Sequence, residues 1–518
     1  MNYDLLLKNG NIRTIDEKMS VCGWVGVKDG RIAGLGEMPP PAAAATRVID
    51  LGGRTVLPGL MDCHVHVMPA GLNLSAVPLE NAGTISEVLE CVESACAAAK
   101  GGQEWVFAMN YVAQNVKEER YPTRHELDAV SHGLKVMVMA ATLHGCAVNT
   151  AAMEVCDVPE DMAGVERDGS DVTGVYSSDE SSFLACANAL GSLPDDMLWK
   201  YIADCAENAA SKGVTTMHGL FGMFVDKDRD MDLISARARE LPVEMAVFYQ
   251  TWDVDKAKAM GLPRVGGCLT LDGASFEYTM ANFAPYKSAP ALRGVLYHND
   301  DEVYQVVKKA HEYDMQCTLH ALGDRAIDQL LWVYHRVFAE QGRKDLRHRI
   351  EHFSYPTDEQ IAMAADLGLI LSVQPGFTYY WDRAEGGEFE YMFGREGANR
   401  WDPFNKLVEA GCIVCAGSDC PVTAVEPLVD IASVVNGPNP VRNAPLDDAL
   451  RMVTSNAAYA IGMEARKGSI EVGKDADFVV IDRDPYSCAD TKDIYGMQAL
   501  LTIREGKTIY ENPSWKDI

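Results

Sequence analysis

The run LPGLMDCHVHVMPAG, residues 57 to 71, sets His64 and His66 two positions apart at the end of a short apolar stretch. Side chains at i and i+2 of a strand share a face, so the two imidazoles point the same way. They are either the start of a metal site or alternate positions on an ordinary buried strand. Histidine pairs are too common for the spacing alone to choose.

The chain has 518 residues, 47% hydrophobic and 23% charged, enough for one large domain and a smaller companion. Its formal charge is -29, from 75 acidic and 46 basic side chains. Such a surface repels a phosphate backbone, which disfavours nucleic acid and anionic membranes as partners. Uninterrupted apolar runs of about 18 residues are absent, so no spanning helix is expected. The start, MNYDLLLKNGNIRTIDE, lacks the basic, apolar and small-residue order of a signal peptide. The fourteen cysteines form no paired CxxC blocks; Cys412 and Cys415 lie in an apolar run, GCIVCAGSDC. Free thiols point to a reducing compartment, with the cytoplasm as the expectation. A homodimer is compatible with this composition.

The two ends are alike. Residues 1–57 read as short strands joined by turns, as in CGWVGVKDGRIAGLG with its Asp-Gly signal, and residues 467–518 repeat the style in KGSIEVGKDADFVVID and ALLTIREGKTIYE. Neither end can bury a core of its own. The expectation is one small composite β-sandwich, with residues 58–466 inserted between its halves.

That middle alternates apolar runs with amphipathic, helix-length segments. The runs are VLPGLMDCHVHV, GVTTMHGL, PVEMAVFY, GGCLTLDG, MQCTLHALGD, RIEHFS, LILSVQPG and CIVCAGSD. TDEQIAMAADLG opens with a Thr357-to-Gln360 capping-box pattern. Eight strand–helix units predict an α/β fold, a (β/α)8 TIM-like barrel, with residues 70–210 as a long insertion after the first strand.

Catalytic side chains of such a barrel sit at the C-terminal strand ends. Here those ends carry His64 and His66, then His218, His320 and His352, and finally Asp419. Taken singly, each strand histidine is as readily a hydrogen-bonded core residue, and Asp419 could cap a turn. Together they are hard to attribute to packing, because burying unpartnered polar groups costs a few kcal/mol apiece. Imidazoles and a carboxylate from separate strands suit a borderline metal such as zinc.

PGLMDCHVHV, HALGDRAID, RIEHFSYPTDEQI, SVQPG, GSDCPV and GSIEVGKDADFVVID together resemble the amidohydrolase superfamily. The likeness is greatest to its family-3, YtcJ-like branch, related to N-substituted formamide deformylase, and it spans nearly the whole chain. LHGCAVNTAAM, in the insertion, resembles that branch's HGHSxWVNSxAL stretch. The resemblance implies one or two divalent ions, zinc first. His64 and His66 would hold one and His320 and His352 the other, with Asp419 as ligand and proton carrier. Such ions lower the pKa of a bound water to roughly 7 and polarise a carbonyl. His218 and, from the insertion, His144 are expected around the substrate.

One departure stands out. Where related sequences have a strand-four lysine that bridges two metals, this chain has Cys268, in GGCLTLDG. A thiolate can ligate zinc, yet free cysteines are often inert core residues. Glu180 is a weaker substitute. The activity implied is hydrolysis of a carbon–nitrogen bond in a small amide, formamide or cyclic amide. The alternative is a mononuclear deaminase of an amino-substituted heterocycle. A scaffold without activity fits poorly with the retained histidines and Asp419. Aromatic residues on or after strands three, four and seven, among them Tyr286, Phe377 and Trp381, suit an apolar or flat ligand, or pack loops together.

Overall fold

The computed structural model describes residues 2–383, 385–488 and 490–515. All eight apolar runs form strands: β1 (Leu60–His66), β2 (Val214–Gly222), β3 (Glu244–Gln250), β4 (Arg264–Thr270), β5 (Gln316–Ala321), β6 (Arg349–His352), β7 (Ile370–Val373) and β8 (Ile413–Ala416). Pairing among them is parallel throughout. Helices lie between successive strands, including Asp300–Glu312, Asp324–Gln341 and Asp358–Leu367. The last starts at the expected capping box of Thr357 and Gln360 and stops at Gly368 in the left-handed region.

The eight strands form two ladders, β3–β2–β1 and β4–β5–β6–β7–β8, where one closed sheet was expected. On one side the ladders meet. Val65 bridges Cys420, His66 N donates to Cys420 O at 3.0 Å, and Asp419 N donates to His64 O at 2.8 Å. Gly417 permits this approach, since a Cβ there would stand 2.4 Å from His64 N.

On the other side, strand β4 bulges. Gly266 and Gly267 have φ of 100° and 118°, and the β4–β5 register shifts between Gly266 and Thr270. A Cβ on Gly266 would lie 1.9 Å from Thr318 O, so only glycine fits. Past the bulge, Cys268 N donates to the Gln250 side chain at 3.2 Å, a side-chain acceptor where a ladder would supply a carbonyl. The bulge breaks the ladder and re-aims Cys268.

The two ends of the chain share a single eight-stranded sheet. Its order is Lys507–Glu511, Ala499–Arg504, Phe478–Ile481, Thr55–Pro58, Tyr3–Arg13, Val21–Lys28 and Arg31–Gly36, with Ala45–Asp50 also paired to Tyr3–Arg13. Leu5, Leu7, Val25, Phe478, Val480 and Leu501 bury one common apolar cluster. Residues between β1 and β2 form a separate six-stranded sheet, from Val77–Pro78 to Val165–Asp168. Among the described residues, no helix is long and apolar enough to cross a membrane.

Candidate metal centre

Strand ends bring six of the expected side chains together. Nitrogen, sulfur and oxygen atoms of His64, His66, Cys268 and Asp419 lie within 4.8 Å of one another, as do those of Cys268, His320 and His352. Cys268 belongs to both groups. All six side chains are buried. His64 and His66 each place Nε2 3.2 Å from Asp419 Oδ1, yet His64 Nε2 and Asp419 Oδ1 have no hydrogen-bond partner. Buried polar atoms that converge without bonding one another are what a bound cation would satisfy. The donor set of imidazole, thiol and carboxylate also suits a divalent ion.

Three residues at or beside the cluster have left-handed backbone. His352, Phe353 and Asp419 have φ of 73°, 50° and 56°, a region that side chains other than glycine rarely adopt.

Beneath the cluster lies a charged network that sequence reasoning did not single out. Glu351 Oε2 accepts from His64 Nδ1 at 2.7 Å, which leaves Nε2 as the nitrogen turned to the cluster. Arg349 donates to both oxygens of Glu351, at 2.9 and 2.8 Å, and Thr318 donates to Oε1. Burial opposes charge on Glu351, but Arg349 and His64 hold its carboxyl well below the usual range. The signal was present in RIEH: Arg349 and Glu351 alternate on an otherwise core-like strand. Asp272 is a comparable case. It accepts backbone N–H groups from Ala281, Leu322 and Gly323 and stands 3.2 Å from His320 Nδ1.

Burial opposes charge on Asp419, but His64 and His66 keep it ionised well below the ordinary carboxylate pKa. Among protein groups alone, burial pushes the Cys268 thiol up to about 12, with His64 opposing. Thiolate ligation at Cys268 therefore needs a cation in contact.

A cavity opens on the cluster. His66, Cys268, His320, His352 and Asp419 line its floor, and Phe183, Phe224, Phe276, Phe377 and Trp381 line much of the rest. His144 reaches it from the insertion, with its ring 6.3 Å from that of His320. Its Nδ1 donates to Asp179 Oδ1 at 2.7 Å. Burial opposes the imidazolium, but Asp179 raises its pKa to about 9. Asp179, not its exposed neighbour Glu180, is thus the acid of that segment which faces the site.

Two expected contacts fall elsewhere. Tyr286 is fully buried away from the cavity, donates to Met280 O at 3.0 Å and packs on Tyr278 and Phe393. His218 is also fully buried and does not line the cavity; its Nδ1 accepts from Arg349 at 2.9 Å. Burial and the adjacent Arg349 hold its pKa well below the ordinary value, so the ring stays neutral.

Residues 47–510 match the amidohydrolase family. The chain belongs to that family. It is 29% identical to N-substituted formamide deformylase of Arthrobacter pascens, with 98% of each chain covered. It is 25% identical to YtcJ of Bacillus subtilis, covering 97% of this chain and 98% of that one. Its fold is shared by an uncharacterized metal-dependent hydrolase from Pyrococcus horikoshii, at 23% identity and a TM-score of 0.76, over 93% and 98% of the two chains. This family member is an enzyme acting on carbon–nitrogen bonds, and its His/Cys/Asp cluster is suited to a divalent metal.

Proposed function

We propose that the chain hydrolyses a non-peptide amide, formamide or cyclic amide with zinc as its metal. His64, His66 and Asp419 would hold one ion and His320 and His352 a second, with Cys268 between them. The observation that carries this reading is the membership of Cys268 in both ligand groups. Such ions activate water and polarise the scissile carbonyl. Asp419 takes the proton of the attacking water at a carboxylate oxygen and passes it to the leaving nitrogen. His144, held by Asp179, offers its remaining nitrogen to the substrate. The apolar walls exclude bulk water and strengthen these polar contacts.

The wider organisation follows the same reading. The two ladders are proposed to act as one (β/α)8 barrel carrying the site at its C-terminal mouth. Residues 1–57 and 467–518 are proposed as its composite β-sandwich companion. Fourteen unpaired cysteines support a cytoplasmic setting.

Metal analysis of the purified protein is expected to find one or two zinc-like ions per chain. Incubation with N-acyl, N-formyl and cyclic amides is expected to release amine or ring-opened acid. Metal-free protein with full activity sinks the reading, and release of ammonia from amino-heterocycles in place of amide turnover favours a deaminase. Cys268→Ala is expected to lower both bound metal and rate. Unchanged metal stoichiometry would mark Cys268 as a packing residue.

A further inference from the structure

A second chamber, of about 530 Å³, adjoins the cavity over the His/Cys/Asp cluster. Thr142, His144, Phe276 and Trp381 line both, so they form the partition between them. The two chambers differ in chemistry. Aromatic and aliphatic walls dominate the inner one, whereas Tyr111, Tyr121, Tyr278 and Tyr380 line the outer one together with Glu277.

Glu277 is committed on one side only. Its Oε1 accepts from Thr142 Oγ1 at 2.5 Å. Its Oε2 is buried and has no hydrogen-bond partner. Burial pushes this carboxyl above its ordinary pKa, with His144 opposing. Of the other charged groups nearby, Glu388 is an exposed acid on the chamber wall, and two more are engaged elsewhere. Asp179 takes His144 Nδ1, and Arg383 donates to the carbonyls of Tyr380 and Asp382. What the chamber offers a ligand is therefore an acceptor. An ammonium group would donate to Oε2 and favour the ionised carboxylate.

We propose that the outer chamber is a substrate subsite, in which Glu277 Oε2 binds an ammonium-bearing arm of an amide whose scissile bond lies in the inner cavity. The proposal rests on the amide-hydrolase reading and adds a class to it: amides of diamines or other cationic amines, with anionic amides excluded. Glu277 is here a specificity residue, remote from the reacting bond.

Two probes of matched length test it, N-formyl-1,6-diaminohexane and N-formylheptylamine, which carry an ammonium and a methyl group at the same position. Calorimetry on the zinc-loaded full chain is expected to show the ammonium probe binding about 10- to 100-fold tighter, the range of a hydrogen bond to a charged group. Glu277→Gln is expected to bring the ratio of the two Kd values close to one, and Glu277→Asp to keep part of it. A purely structural role would move both Kd values in parallel. Equal Kd values in the wild-type chain, no measurable binding of the ammonium probe, or a preference that survives Glu277→Gln overturns the subsite. An intact Kd ratio without turnover of either probe instead sinks the hydrolase reading and leaves the subsite standing.

Discussion

Asp419→Asn is expected to lower kcat by about 10²- to 10⁴-fold, the range general acid–base catalysis contributes. Asparagine keeps the size and one oxygen of the side chain but cannot take up a proton near neutral pH. The backbone links of the segment survive the change, since Asp419 N donates to His64 O and Asp62 Oδ1 accepts from Ser418 N. Folding and the position of the loop should therefore persist. Steady-state kinetics beside a thermal melt separate the two effects. A folded variant that keeps more than about a tenth of wild-type kcat removes Asp419 from the proton-transfer role.

Glu351→Gln is expected to cost both metal and stability. The carboxylate orients His64 and neutralises Arg349, and all three side chains are fully buried. Losing such an orienting partner weakens metal binding by about 10- to 100-fold. Leaving a buried guanidinium unpaired costs about 3–5 kcal/mol of folding free energy. Titration against a chelator reads the first effect, and urea unfolding of the metal-free protein reads the second. The sign with pH is also defined. The folded pKa of Glu351 lies below its ordinary value of 4.5, so the pair's stabilisation is intact above that pH and fades as pH falls toward the folded value. Wild-type metal affinity in the variant would show that His64 is oriented by something else.

The clustered histidines and Asp419 were legible for a reason that Glu351 and Asp179 lack. His64, His66, His320, His352 and Asp419 each end an apolar run, so strand periodicity alone places them at one mouth. The partner of Glu351 is set by which strand of the other ladder faces it, and no local pattern encodes that. Asp179 and Glu180 are adjacent acids in a loop-to-helix turn, and only the packed turn decides which one is buried. Tyr286 packs between loops, a role open to any aromatic residue after a strand end. The break between β3 and β4 falls at Gly266 and Gly267, both at positive φ; Thr318 O crowds the first and the Leu220 side chain the second, neighbours that the strand pattern does not reveal.

The sheet shared by the two ends has a consequence for how the chain is made. Thr55–Pro58 pairs on one side with Tyr3–Arg13 and on the other with Phe478–Ile481. The second partner emerges from the ribosome about 420 residues after Thr55–Pro58 itself, a wait of roughly 20 to 80 s at about 5–20 residues per second. Throughout it the nascent sheet presents an unpaired, apolar edge, the feature most prone to pair with a foreign strand. Closure of this edge is therefore timed by Phe478–Ile481, and a chain released before that strand leaves it open.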